Sequence, residues 1–274
     1  MNVLIARVRI PLTMLGVLLI FVGSLGTIAY LGPVGIVVFV AGLLCYFRVG
    51  RVRGEPTRLR MPVTGRWVAA NSPANRVPSH GVHAWGQTYA VDLVHDPIDH
   101  PRPAFNSGWG FAPASDFPAF GRPILAPADG VVVRVRDRAR DHRARNSWPA
   151  LVYLFVEAAL RELLGSGRIL GNHIVLDLGN GVYATMAHLR RGSARVAVGD
   201  AVRAGQHIAD CGNSGNSTEP HLHLQLMDHP RAAVAAGLPM EFDSFEVEAQ
   251  CRSGIPRNDE PFLVPCREGV TQPE

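Results

Sequence analysis

The longest uninterrupted apolar stretch lies near the start of the chain, where Pro11 to Phe47 contains no charged residue. One membrane-spanning helix needs only about 20 residues, and Gly32-Pro33, near the middle, breaks or turns a helix. The pattern predicts two apolar segments, about 12–31 and 34–47, joined by a tight turn. The second is short enough to be re-entrant or interfacial. A cleaved signal peptide fits less well, because its apolar core runs only about 7–15 residues. Residues 1–53 are read as membrane segments, and 54–79, rich in Pro, Arg and Asn, as a linker or surface arm.

Beyond residue 80 the pattern changes to short alternating segments separated by turn residues, which predicts a mainly β domain, an antiparallel sheet or barrel-like structure. In His221-Leu222-His223-Leu224-Gln225, alternation puts both imidazoles on one face, about 7 Å apart, and both leucines on the other. Two imidazoles so placed can reach one metal ion, although solvent-facing histidines on an edge strand give the same pattern. Gly171 to Leu189 predicts a β-hairpin turning at Asn180-Gly181. There Tyr183, Thr185 and Ala187 share one face, with Ala184, Met186 and His188 on the other. Pro123 to Arg136 reads as strand, Asp129-Gly130 turn and strand, and Val198 to Ala209 as a pair of tight turns.

Two stretches break the pattern. Residues 97–122 carry several prolines and aromatics and read as a long loop, in which Asn106 to Phe111 either lines a groove or packs on the edge of the domain. Residues 137–170 read as an insertion: a charged run, then a helix opened by Pro149 and stopped by Gly165 and Gly167. Its apolar residues cover most of its circumference, so it must bury against the sheet, a membrane surface or a partner, or close over a groove as a lid. Residues 229–274 read as a peripheral tail with a helical turn at 231–236.

Composition sharpens this picture only slightly. The chain has 274 residues and net charge +4, and every one of its 27 basic residues is arginine. Solvated arginines are the plain reading, with anionic lipid or wall polymer as the alternative. No basic run is interleaved with aromatics, which argues against nucleic acid. Cys45, Cys211, Cys251 and Cys266 fit no zinc-finger spacing, and Cys251–Cys266 is a candidate disulfide.

Five separated motifs occur in order: Pro123 to Val133, Gly171 to Asp177, Tyr183-Ala-Thr-Met-Ala-His188-Leu, Val198 to Gly212, and His221-Leu-His223. Together they resemble the catalytic domain of the lysostaphin/LytM-type zinc endopeptidases, which cut peptide cross-links in bacterial peptidoglycan and have the duplicated hybrid motif fold. The resemblance covers roughly residues 80–228, and because such enzymes often open with a similar Gly-x-Trp stretch it also implies a short first strand at Pro62 to Val68. It implies zinc held by Asp92 and His223, with His188 and His221 as the catalytic pair. Such enzymes carry His-x-x-x-Asp at the first motif, but four residues before Asp92 stands Thr88, a poor zinc ligand. Three arrangements stay open: His80 or His83 supplies the missing ligand, His188 or His221 does, or the site holds no zinc.

The resemblance thus implies a membrane-anchored endopeptidase acting through a zinc-activated water. The alternative is an inactive module that binds wall peptide or a partner hydrolase. A carrier-domain reading, prompted by Val198 to Ala209, fails for want of any lysine. The resemblance implies a domain outside the cytoplasm, where peptidoglycan lies, yet Arg7, Arg9, Arg48, Arg51 and Arg53 place both flanks of the apolar stretch inside by the positive-inside rule.

Overall fold

The computed structural model describes residues 2–26, 28, 30–48, 52–163 and 166–265. The apolar stretch folds as a helical hairpin, α1 (Asn2–Ser24) and α2 (Leu31–Arg48). The break does not fall at Gly32-Pro33. α1 closes through Gly26, whose positive φ suits a helix end, while Pro33 sits in the first turn of α2, where its missing N–H costs nothing. The helices meet along glycines: a Cβ on Gly16 would lie 2.5 Å from the Phe39 backbone nitrogen, and one on Gly35 2.6 Å from that of Ile20. Small residues at this spacing let two backbones approach closely. Leu18, Phe21, Leu25, Val37 and Leu44 point outward. Among the described residues no helix is long and apolar enough to cross a membrane, so the expected transmembrane helices are not found there.

The rest is mainly β, as the alternation predicts. Its strands are β1 (Thr57–Leu59), β2 (Gly65–Ala70), β3 (Val91–His95), β4 (Pro123–Leu125), β5 (Gly130–Arg136), β6 (Asn172–Asp177), β7 (Tyr183–Leu189), β8 (Ala201–Val202), β9 (His207–Asp210), β10 (Leu222–Met227), β11 (Gly237–Leu238), β12 (Met240–Val247), β13 (Gln250–Gly254) and β14 (Pro261–Val264). One large sheet runs β1-β12-β14-β2-β3-β10-β7-β6-β5-β8, with β11 on β10 and β13 on β12. All its pairings are antiparallel except β1–β12. The sheet is open, not a closed barrel.

The hairpin at Asn180-Gly181 forms as expected, with positive φ at both residues. The one expected at Asp129-Gly130 does not, because β4 leaves the large sheet to pair with β9. The strand expected at Pro62 to Val68 forms as β2, whereas β1 in the linker and β11 to β14 in the tail depart from their sequence reading. They bury Trp67, Phe242, Phe245 and Phe262 in the main core. Only Ala232–Val234 of the predicted helical turn is helical, as a 3-10 turn. Cys251 lies exposed on β13, and its proposed partner Cys266 falls outside the described residues.

The insertion holds two helices rather than one, α3 (Trp148–Leu163) and α4 (Ser166–Leu170). Its stem is fastened by side chains. Asn172 exchanges hydrogen bonds with the Ala139 backbone, Asn213 Nδ2 donates to the His142 carbonyl, and the Arg145 guanidinium donates to the Ser217 carbonyl. The hairpin docks through Arg9, which is fully buried and donates to the carbonyls of His83 and Ala235.

Candidate metal centre

The antiparallel register sets Asp92 on β3 directly opposite His223 on β10. Leu222, Leu224 and Leu226 turn into the core on one face of β10. The other face carries His223 and Gln225, with His221 just before the strand. His223 Nδ1 lies 2.9 Å from Asp92 Oδ1, and His221 Nε2 lies 3.5 Å from the same oxygen.

His188 reaches this face by a different route. Across the ladder Met186 opposes the core residue Leu224, so strict alternation would send His188 to the core side as well. Instead, Asn172 pairs with Leu189 and His173 with Ala187, leaving His188 as the extra residue of a β-bulge with φ +61°. A bulged residue in the left-handed region re-aims its side chain. The His188 ring thereby sits 4.8 Å from that of His221 and 5.6 Å from that of His223, centroid to centroid.

His80 comes from a loop rather than a strand. Ser79 N donates to the Thr88 carbonyl and Ser79 Oγ to the Gln87 carbonyl, folding residues 79–88 back on themselves. That fold brings His80 Nε2 to 3.1 Å from Asp92 Oδ2, although twelve residues separate them. One donor atom each from His80, Asp92 and His223 lies within 4.8 Å of the others. His83 is elsewhere: its Nδ1 is 3.1 Å from Thr88 Oγ1, and both residues are buried. Thr88 thus props the loop that presents His80. His173 also lies apart from the cluster, its Nδ1 donating to the Gly171 carbonyl.

The outer hydrogen bonds fix how each imidazole is protonated. His188 Nδ1 faces the Ser214 carbonyl and His221 Nδ1 the Glu219 carbonyl; carbonyls only accept, so both Nδ1 atoms carry hydrogen. Gln225 Nε2 donates to the Trp85 carbonyl, which leaves Gln225 Oε1 to accept from His223 Nε2. Ser79 Oγ, already donating, accepts from His80 Nδ1. In the neutral forms the rings of His80, His221 and His223 therefore turn a lone-pair nitrogen toward one buried carboxylate. Lone pairs facing a carboxylate call for a cation between them, and an outer partner on each ligating histidine is the arrangement that orients metal ligands. The donor set fits zinc, with three protein ligands and room for a fourth.

Burial and the Asp92 charge set the protonation of these groups. Burial alone would raise the Asp92 pKa, but His80 and His221 hold it well below the usual carboxylate range. Burial, helped by His221 and His223, pushes His188 well down. Burial also lowers His80 against the pull of Asp92. At His221 burial pulls downward, but Asp92 outweighs it and the pKa rises.

Asn71 and Gln225 are functional neighbours that the sequence reading missed. Asn71 Nδ2 donates to Asp92 Oδ2 at 2.8 Å. Gln225 was legible as the next residue on the His221/His223 face, whereas Asn71 follows β2 and carries no local signal. The cluster opens on a cleft of about 440 Å³, whose opposite side is formed by Leu154 and Ala158 of α3 and Ile169 and Leu170 of α4. The loop 97–122 packs against the insertion, with Phe105 on Trp148 and Phe111 on Tyr153, so Asn106 to Phe111 does not line this cleft.

Residues 156–235 match peptidase family M23. A glycyl-glycine endopeptidase, ALE-1 of Staphylococcus capitis, is 40% identical over 72 residues, which is 26% of this chain and 20% of the relative. The chain thus spans about a fifth of the length of the curated relative it matches. Among solved structures, the catalytic domain of lysostaphin from Staphylococcus simulans is 25% identical, covering 47% of this chain and 86% of its own with a TM-score of 0.27. A catalytic-domain variant of the prophage-encoded M23 protein EnpA from Enterococcus faecalis is 21% identical, covering 50% and 85% with a TM-score of 0.29. These structural overlaps are slight, and the weight rests on the sequence matches. Residues 156–235, the stretch similar to peptidase family M23, include His188, His221 and His223.

Proposed function

We propose that the chain is a zinc endopeptidase that hydrolyses peptide bonds in peptidoglycan cross-links. The observation that carries this is the convergence of the His80, His221 and His223 imidazole nitrogens on the buried Asp92, with His188 packed against the last two. His80, Asp92 and His223 would hold the metal, with His80 standing where the family motif would have used residue 88. Zinc, when bound, supplies Lewis-acid polarisation of the scissile carbonyl. His188 and His221 stay outside that ligand set. Each is anchored through Nδ1 to a backbone carbonyl and presents Nε2 to the cleft, where it accepts or returns a proton and donates to developing negative charge. The bulge at His188 fixes its position relative to His221. The apolar wall of α3 and α4 excludes water from one side and gives the substrate backbone a surface to lie against.

The apolar outward face of the α1–α2 hairpin supports membrane attachment, by partial embedding rather than a crossing. Arg9 of α1 donates to the His83 and Ala235 carbonyls, and the Val52 carbonyl accepts from Tyr89 Oη, so the hairpin would hold the β domain close to a membrane surface.

The test is zinc content of the full chain after dialysis against metal-free buffer, followed by assay on cross-linked peptidoglycan. One zinc per chain and release of new amino termini are expected. No zinc and no cleavage would leave the inactive wall-binding module as the better reading.

A further inference from the structure

The inserted helices have two faces. Leu154, Ala158 and Ile169 look into the histidine cleft. The neighbouring residues Tyr153, Glu157, Arg161 and Arg168 look the other way, into a separate concavity of about 640 Å³. Its remaining wall comes from β5 and the stem of the insertion, with Arg136, Arg138 and Arg140. Five guanidinium groups therefore line one hollow on the far side of the wall that bounds the metal centre.

The charges in this hollow are not balanced locally. Glu157, its only carboxylate, is already paired with Arg145 and Arg161. Among the described residues, Arg136, Arg138, Arg140 and Arg168 have no carboxylate within ion-pair distance. The acidic residues interleaved with them in sequence face away. Asp137 accepts from the backbone of Gly192 and Ala194, and Asp141 from that of Arg191 and Asn213. Arg161 Nη1 is buried without a hydrogen-bond partner. His142 adds no charge near neutral pH, because burial and Arg145 push its pKa down to about 4.

We propose that this hollow is a binding site for a phosphate group. A guanidinium fork matches phosphate oxygens two at a time. Four unpaired positive charges around one hollow exceed what a single carboxylate would neutralise, whereas a phosphate or a run of phosphodiesters suits them. The same chemistry is offered by free or polymer-borne phosphate and by the headgroup of an anionic lipid. The site does not depend on the peptidase reading, since neither Asp92 nor any cleft histidine lines it.

The experiment is calorimetric titration of the full detergent-solubilised chain with inorganic phosphate and with a glycerol-phosphate oligomer. Sedimentation with phosphatidylglycerol or phosphatidylcholine vesicles forms the second arm. Saturable binding of one equivalent is expected. Arg138 and Arg140 are exposed, so R138Q/R140Q should fold normally and lose affinity by roughly tenfold per arginine removed. R195Q/R203Q removes two exposed charges outside the hollow and should change affinity by less than about twofold. Competition by the oligomer alone assigns a soluble or wall-borne source, and retention on phosphatidylglycerol vesicles that phosphate reverses assigns a headgroup. If R138Q/R140Q loses its native melting transition, R168Q takes its place, and an unchanged affinity in R168Q overturns the proposal. Equal losses in the two double variants, or no saturable binding, overturn it as well.

Discussion

The two sides of the histidine cleft are built by different means. On one side Asp92 and His223 are positioned by paired strands within a continuous hydrogen-bonded ladder, with His221 just before β10, so their spacing follows from the register of β3 against β10. On the other side stand His80, held by a folded-back loop, and the apolar wall of α3 and α4, whose stem is tied on by Asn172, Asn213 and Arg145. Ladder-built geometry tolerates little change, whereas loop-built geometry depends on a few side-chain hydrogen bonds. Substitutions on the ladder side should therefore abolish the centre, and those on the loop side should grade it.

The largest effect is expected at Asp92. Asp92→Asn removes the carboxylate toward which His80, His221 and His223 turn. Bound zinc should fall from about one per chain to near zero, a loss well beyond the ~10–100-fold typical of outer-shell changes. The fold should survive, because Asn retains the volume and the contact with Asn71. Metal analysis beside circular dichroism separates the two effects, and full zinc occupancy in this variant would refute the ligand assignment.

The loop side is best tested by contrasting two histidines three residues apart. His80→Ala should lose zinc, while His83→Ala should keep it and lower stability, since it strands the buried Thr88 hydroxyl at a cost of about 1–3 kcal/mol. Thr88→His, which restores the family spacing, should not improve zinc binding. Thr88 is fully buried and its carbonyl holds Ser79, so a larger ring there overpacks the loop. Zinc titration with thermal melts of the three variants decides. Equal zinc loss in His80→Ala and His83→Ala would show that the loop has no preferred ligand.

This contrast also marks what the sequence made legible. Period-2 alternation was enough to place His221 and His223 on one face and to find the β6–β7 hairpin. It was not enough for His188, because a bulge with positive φ overrides alternation, and a bulge is specified by the partner strand. It also gave no reason to prefer His80 over His83, since that choice depends on which backbone groups Ser79 and Thr88 bond. β12 and β14 were missed for the opposite reason: their partners β1 and β2 lie far away in sequence, and β14 is only four residues long.

A smaller effect is expected one shell out. Gln225→Leu removes the acceptor of His223 Nε2 and frees the ring to turn. Zinc affinity should weaken by ~10–100-fold, measurable by competition with a chromogenic chelator. An unchanged affinity would mean that the ladder alone orients His223.

The last test uses acid and the histidines outside the cluster. Burial is the main force holding His95, His142 and His173 neutral in the folded chain, each with a pKa pushed down to about 4 from 6.5, with neighbouring arginines adding to it. Their contribution is fully present above about pH 6.5. Below that the unfolded chain takes up protons that the folded chain refuses, so stability falls as pH drops toward 4. A fully buried site of this kind contributes up to about 3 kcal/mol of that loss; His142, less enclosed, contributes less. His95 and His173 sit on the sheet and His142 in the stem of the insertion. Replacing His142 with Gln should flatten only its part of the decline in melting temperature. It should also leave zinc retention at pH 7 unchanged. If H142Q instead releases zinc at pH 7, the stem and the metal centre are one unit, and the division between a rigid ladder side and an adjustable loop side fails.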